Sequence, residues 1–133
     1  MKIKRILFFS LFTVLLMAEG KGVFSKYSLD EAMSLAESQG KPVMVKFHAD
    51  WCHFCRKMDR ETFTDSNVKN VLNDFITVKV DVESKEGMVY ARQFGVTALP
   101  TIVMFDKSGK KTYHQTGFHS AEQLEKVLNK GHG

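Results

Sequence analysis

Cysteine is scarce in this chain. It occurs twice in 133 residues, both times inside the stretch FHADWCHFCRKMD from Phe47 to Asp59. Two cysteines are too few to staple a small disulfide-built scaffold, so an apolar core must hold the fold. The 44% apolar content suffices for one compact domain and falls short of two. A strong charge imbalance is also missing. The formal net charge is +4, and without residues 1–20, which carry Lys2, Lys4, Arg5 and Glu19, 16 basic side chains face 14 acidic ones, a charge of +2. Such a balanced domain gives no electrostatic case for nucleic acid. No Gly-rich phosphate loop, nucleophilic serine motif or paired-carboxylate arrangement stands out. Internal repeats, linkers and low-complexity tracts are absent as well, so residues 21–133 read as one unit.

A long hydrophobic run is the next absence. The apolar stretch from Ile6 to Ala18 stops well short of the about 20 residues a spanning helix needs. Lys2, Lys4 and Arg5 precede it and small residues around Ala18 and Gly20 follow it, the pattern of a secretory signal peptide cut near Gly20. Retention of the segment as a short anchor is the rival reading. Export predicts a soluble mature domain in an oxidising compartment, periplasmic or secreted, where thiols close into disulfides unless something keeps them reduced.

Ser28 and Glu31 form a capping box ahead of a helix closed by Gly40. PVMVKFHA, Pro42 to Ala49, is β-rich and too short for a typical helix, and good helix formers follow the cysteines. DSNVKNVLNDF suggests a second short helix, FITVKVDV a strand, SKEGMVYARQFG a helix despite Gly87, and LPTIVMFD a strand. The DKSG turn from Asp106 to Gly109 joins that strand to KKTYHQTGF as a hairpin, and Ser120 with Gln123 caps a last helix. The alternation predicts an α/β fold: a central mixed sheet of about four strands, parallel but for one antiparallel edge, with helices on both faces.

This order places Cys52 and Cys55 just past a buried strand, at the start of a helix. Unpaired N–H groups and the partial positive charge there favour a thiolate, which makes Cys52 the predicted nucleophile. Residues three apart on a helix lie about 5 to 6 Å from each other, within the Cα separation of about 4.4 to 6.8 Å that a disulfide requires. Cys55 can therefore attack a mixed disulfide at Cys52. The other reading of the pair is a metal clamp, since His48 and His53 flank it and zinc accepts both residue types. A structural zinc site takes four ligands, commonly from two separated pairs, and no second pair exists. No metal and no cofactor beyond the cysteine pair are expected, and Arg56 occupies the position a haem-attachment histidine would need.

ADWCHFC after a strand, with GVTALPT some forty residues later, resembles the thioredoxin fold over essentially all of residues 21–133. Within that superfamily, PVMVKFHADWCHFCRKMDRETF and FGVTALPTIVMFD are most similar to the periplasmic C-terminal domain of the thiol:disulfide interchange protein DsbD and its small free-standing relatives. The resemblance implies that Cys52 attacks, Cys55 resolves, Trp51 shields the site and Pro100 is cis. Backbone beside the Leu99-Pro100 bond would then pair with an extended substrate. Phe54 is expected in packing or substrate contact. His53 keeps two readings: an imidazolium that favours the Cys52 thiolate, or a ring turned to solvent.

Lys46 departs from the family pattern, which has a buried acid six residues before the first cysteine. Asp59, one helical turn after Cys55, is the expected replacement in proton transfer at Cys55, with Lys46 as its partner. The competing reading is a snorkelling lysine and an exposed aspartate. The predicted activity is an exported thiol:disulfide oxidoreductase, acting as a reductase on disulfide- or thiol-bearing exported proteins and fed by a membrane electron donor such as a DsbD-like transporter. A dithiol oxidase or isomerase is the alternative, and a non-catalytic binding or metal-binding module the third class.

Overall fold

The computed structural model describes residues 22–131, so the expected signal segment, residues 1–20, lies outside the described residues. Helix α1 (Leu29–Gln39) opens on the capping box expected of Ser28 and Glu31 and ends at Gly40 with φ +64°, a left-handed cap that glycine adopts without steric cost. Strand β1 (Val43–His48), helix α2 (His53–Glu61), helix α3 (Ser66–Leu72), strand β2 (Ile76–Asp81) and helix α4 (Lys85–Gln93) follow. The hairpin β3 (Thr101–Phe105) and β4 (Lys111–Thr116) leads into helix α5 (Ala121–Lys130), which begins with the Ser120–Gln123 capping box.

The four strands lie in the order β2-β1-β3-β4. β1 and β2 run parallel, but β3 is antiparallel to β1 as well as to β4, which corrects the expected single antiparallel edge. The reason lies in the β2–β3 connection. α4 is only nine residues long, and the segment after it turns at Gly95 with φ +66°. The chain then re-enters the sheet at the end it left, pairing Thr101 with Phe47.

Period-two alternation divides β1 between two apolar layers. Val43, Val45 and Phe47 meet α1 and α4 together with Val78, Val103 and Tyr90. Met44 packs with Met58, Ile102, Met104, Leu124 and Leu128 of the opposite layer, beneath α2, α3 and α5. Lys46 has the parity of Met44 and is completely buried, the only lysine, arginine or carboxylate among the buried described residues. The segment ahead of α1 covers the edge of β2: Ser25 bridges to Val78 in parallel and donates its amide to Thr77 O at 2.9 Å. Phe24 then stacks edge-on against Phe63, with centroids 4.8 Å apart.

Met88 is 42% exposed on α4. His119 is buried; its Nε2 lies 2.8 Å from the Tyr113 hydroxyl and its Nδ1 3.0 Å from Gly117 O.

Gly87, an anomaly in the sequence of α4, has a steric cause. A Cβ there would stand 1.8 Å from Asp81 O and 2.8 Å from Ser84 Oγ, where α4 approaches the end of β2. Gly87→Ala is therefore expected to destabilise the fold by about 1–3 kcal/mol, the cost of overpacking, despite alanine's better helix propensity. Urea denaturation checks it; a stabilised variant would show that α4 shifts freely.

Candidate active site

The site forms where β1 ends. Ala49 O accepts the Cys52 amide at 3.1 Å, turning the chain out of the sheet, and Cys52 becomes the N-cap of α2 with extended φ and ψ of −74° and 107°. Its sulfur takes the place of the usual capping oxygen and accepts the Cys55 N–H at 3.1 Å. An orphan amide of the helix start thus points at the first sulfur. Cys52 and Cys55 form a disulfide with Cα atoms 5.2 Å apart. Both are nearly buried, Cys52 at 5% and Cys55 at 1% exposure, in a small cluster with Ala49, Val82 and Leu99.

The loop before β3 completes this cluster. The Leu99-Pro100 peptide is cis, Pro100 is buried, and its carbonyl accepts the Gly117 amide at 2.8 Å. Thr101 anchors the loop from below, its Oγ1 2.8 Å from Ala98 O and 2.9 Å from Thr116 Oγ1.

Aromatic side chains surround the pair on the surface. Trp51 is 65% exposed, and its indole N–H donates to Glu83 Oε1 at 2.6 Å. Phe54, 53% exposed, faces the His53 ring at 5.4 Å and the Phe118 ring at 6.4 Å. Lys57 Nζ stands 4.5 Å above the Phe118 ring. His53 is exposed. Of the residues singled out from the sequence, Trp51, His53 and Phe54 flank the two cysteines in the chain and are exposed, Leu99 packs against the pair, and Pro100 follows it in the same loop. Glu83 and Phe118 were not foreseen, since each comes from a different loop.

Beneath the helix lies a charge cluster whose inner member, Lys46, is buried. Lys46 Nζ donates to Asp59 Oδ1 at 2.5 Å and to Cys55 O at 3.0 Å, so the paired arrangement holds and the snorkelling one does not. Its ammonium also faces the Phe63 and Phe24 rings at 5.2 and 5.9 Å. The second carboxylate oxygen of Asp59 accepts from Lys79 Nζ at 2.8 Å, a partner the sequence did not announce. Lys79 is directly opposite Lys46 in the parallel register of β1 and β2, and that register is invisible in a linear reading. Burial lowers the Lys46 pKa from its ordinary value in spite of the Asp59 contact. Burial pushes Asp59 up, but the two lysine hydrogen bonds outweigh it and hold the carboxyl below its usual range. His48, half-buried at the end of β1, has a pKa lowered by burial and then by Lys79 and Lys46. No group of three His, Cys, Asp or Glu side chains is placed to hold a metal among the described residues.

The model of the family described as "Thioredoxin-like domain" matches residues 29–132. The chain belongs to the thioredoxin-like family. It is 36% identical over 118 residues to the thiol:disulfide interchange protein DsbD of Actinobacillus pleuropneumoniae, a match covering 80% of this chain and 20% of that protein. The chain spans about a fifth of the length of the curated relatives it matches. Among solved structures, a thioredoxin from Thermus thermophilus superposes with a TM-score of 0.71 at 30% identity, covering 78% of this chain and 83% of that one. The reduced C-terminal domain of DsbD from Neisseria meningitidis shares the fold, with a TM-score of 0.66 at 23% identity over 77% and 93% of the two chains. In this thioredoxin-like chain the Cys52–Cys55 disulfide stands at a helix start.

Proposed function

We propose that this thioredoxin-like protein is a thiol:disulfide oxidoreductase that works as a reductase in an exported compartment. Cys52 attacks the disulfide of a client protein, Cys55 resolves the mixed disulfide, and a membrane-bound dithiol donor of the DsbD kind re-reduces the pair. The observation that carries the exchange roles is the asymmetry of the pair. Cys52 caps the helix and receives an amide N–H on its sulfur, whereas Cys55 lies inside the first turn at 1% exposure. Helix-start amides lower a thiol pKa and leave the thiolate ready to attack. Trp51, His53, Phe54 and the Leu99-Pro100 backbone form the client-facing rim. The reducing direction rests on likeness to DsbD proteins and on the short β2–β3 connection, which holds only α4 and no added helical domain.

A second reading, a dithiol oxidase or isomerase, draws on Lys46, whose Nζ is bonded to the Cys55 carbonyl. Cations near the pair stabilise thiolates and hence the reduced form, which makes a protein more oxidising. Equilibration with glutathione buffers decides between them. The reductase reading expects a potential near the roughly −270 mV of thioredoxin, and a value near the roughly −120 mV of DsbA would establish the oxidase.

A further inference from the structure

Two lysines share one carboxylate beneath Cys55. Lys46 takes Asp59 Oδ1 and Lys79 takes Oδ2. An isolated buried ion pair cannot lose one charge without leaving the other uncompensated, but here Asp59 keeps a counter-ion when either lysine is neutral. Lys79 is the one in contact with water, its side chain 32% exposed, while that of Lys46 is at 0%. The surplus positive charge therefore belongs to Lys46, whose Nζ is already bonded to the Cys55 backbone. We propose that Lys46, and not Asp59, exchanges the proton of Cys55, and that Lys79 is the positioning residue that permits it by holding Asp59 as an anion.

The proposal rests on the exchange roles given above for Cys52 and Cys55. In the resolving step the Cys55 thiol passes its proton to the neutral Lys46 amine, directly or through one water. The Cys55 sulfur then attacks the Cys52 sulfur. The Cys52–Cys55 bond forms, the bond to the client breaks, and the client cysteine departs as a thiolate with the electron pair. The client is reduced and the pair oxidised. The resulting ammonium finds acceptors in Asp59 Oδ1 and Cys55 O, the contacts seen in this disulfide form. The lowered Lys46 pKa and the depressed Asp59 carboxyl fit these assignments. The charged and titratable groups around Lys46 are Asp59 on α2, Lys79 on β2 and His48 two residues along β1, which itself faces Asp81 across the parallel register. Its neighbour on β3 is Ile102.

The test follows reduced protein reacting with an aromatic disulfide whose leaving thiol is coloured; the first thiol reports attack and the second reports resolution. Without Lys79, Lys46 becomes the sole counter-ion of Asp59 and is pinned as ammonium. Lys79→Gln is thus expected to slow the second phase about tenfold at neutral pH, within the range of one general base, and to move its rising pH limb upward by roughly one unit. Lys79→Arg, which keeps the cation, should retain the parent profile. If Asp59 were the base, losing Lys79 would raise its basicity and hasten resolution, which would overturn the proposal. An unmoved pH profile would overturn it too. Failure of the parent itself to release a second thiol would instead refute the exchange roles of the pair, and this inference with them.

Discussion

Replacing Cys52 by serine is expected to abolish disulfide exchange, by about 10³-fold or more, the scale on which removal of a covalent nucleophile acts. Cys55→Ser should behave differently. Attack by Cys52 survives, the mixed disulfide has no resolving thiol, and a covalent adduct with the client accumulates. The difference follows from the helix start, where Cys52 Sγ accepts the Cys55 N–H while Cys55 lies inside the turn and carries Lys46 on its carbonyl. Mass spectrometry of the variants after exposure to a disulfide-bonded client checks both outcomes. Alkylation of the reduced parent at neutral pH should label Cys52 first. Preferential labelling of Cys55, or an adduct held by Cys52→Ser, would reverse the assignment.

Much of this site could be read from the linear sequence because its parts are local. A strand, a Trp-Cys-x-x-Cys segment and a helix occupy Val43 to Glu61 without interruption, and caps such as Ser28–Glu31 and Ser120–Gln123 are fixed by residues three apart. Lys46–Asp59 was also legible, since a lysine on a buried strand needs a counter-ion and Asp59 is on the same helix face as Cys55. What escaped depends on contacts between distant segments. Lys79 meets Asp59 only because β2 lies parallel to β1 in a register that sets it opposite Lys46. The antiparallel direction of β3 hinges on how seven residues, 94–100, turn the chain, and hydrophobic periodicity does not encode that turn. The burial of His119 depends on hydrogen bonds with Tyr113 and Gly117, which composition does not reveal. The Phe24 and Phe63 rings beside Lys46 come from segments some forty residues apart.

The cluster around the buried Lys46 predicts an asymmetry in stability. Asp59→Ala leaves Lys46 with no carboxylate, completely buried and facing the second cation Lys79. Breaking a buried pair in this way costs about 3–5 kcal/mol. Because the Asp59 side chain is a third exposed and water can reach the vacated place, about 2–3 kcal/mol is the expected loss near neutral pH. Lys46→Met should cost far less, because Asp59 keeps Lys79 at 2.8 Å and the thioether extends the layer of Met44, Ile102 and Met104. The double variant should recover most of what Asp59→Ala loses. The two single variants also part in their pH response. In Asp59→Ala the Lys46 pKa drops further below its ordinary 10.5, so between the folded and unfolded values the unfolded chain binds more protons. Stability must then rise with pH across that window and be lost as pH falls through the folded value. Urea titrations at about pH 6 and about pH 9 should therefore show Asp59→Ala gaining on the parent at the higher pH while Lys46→Met does not. Equal losses in the two single variants, or no gain with pH, would mean that Lys46 is not the uncompensated charge.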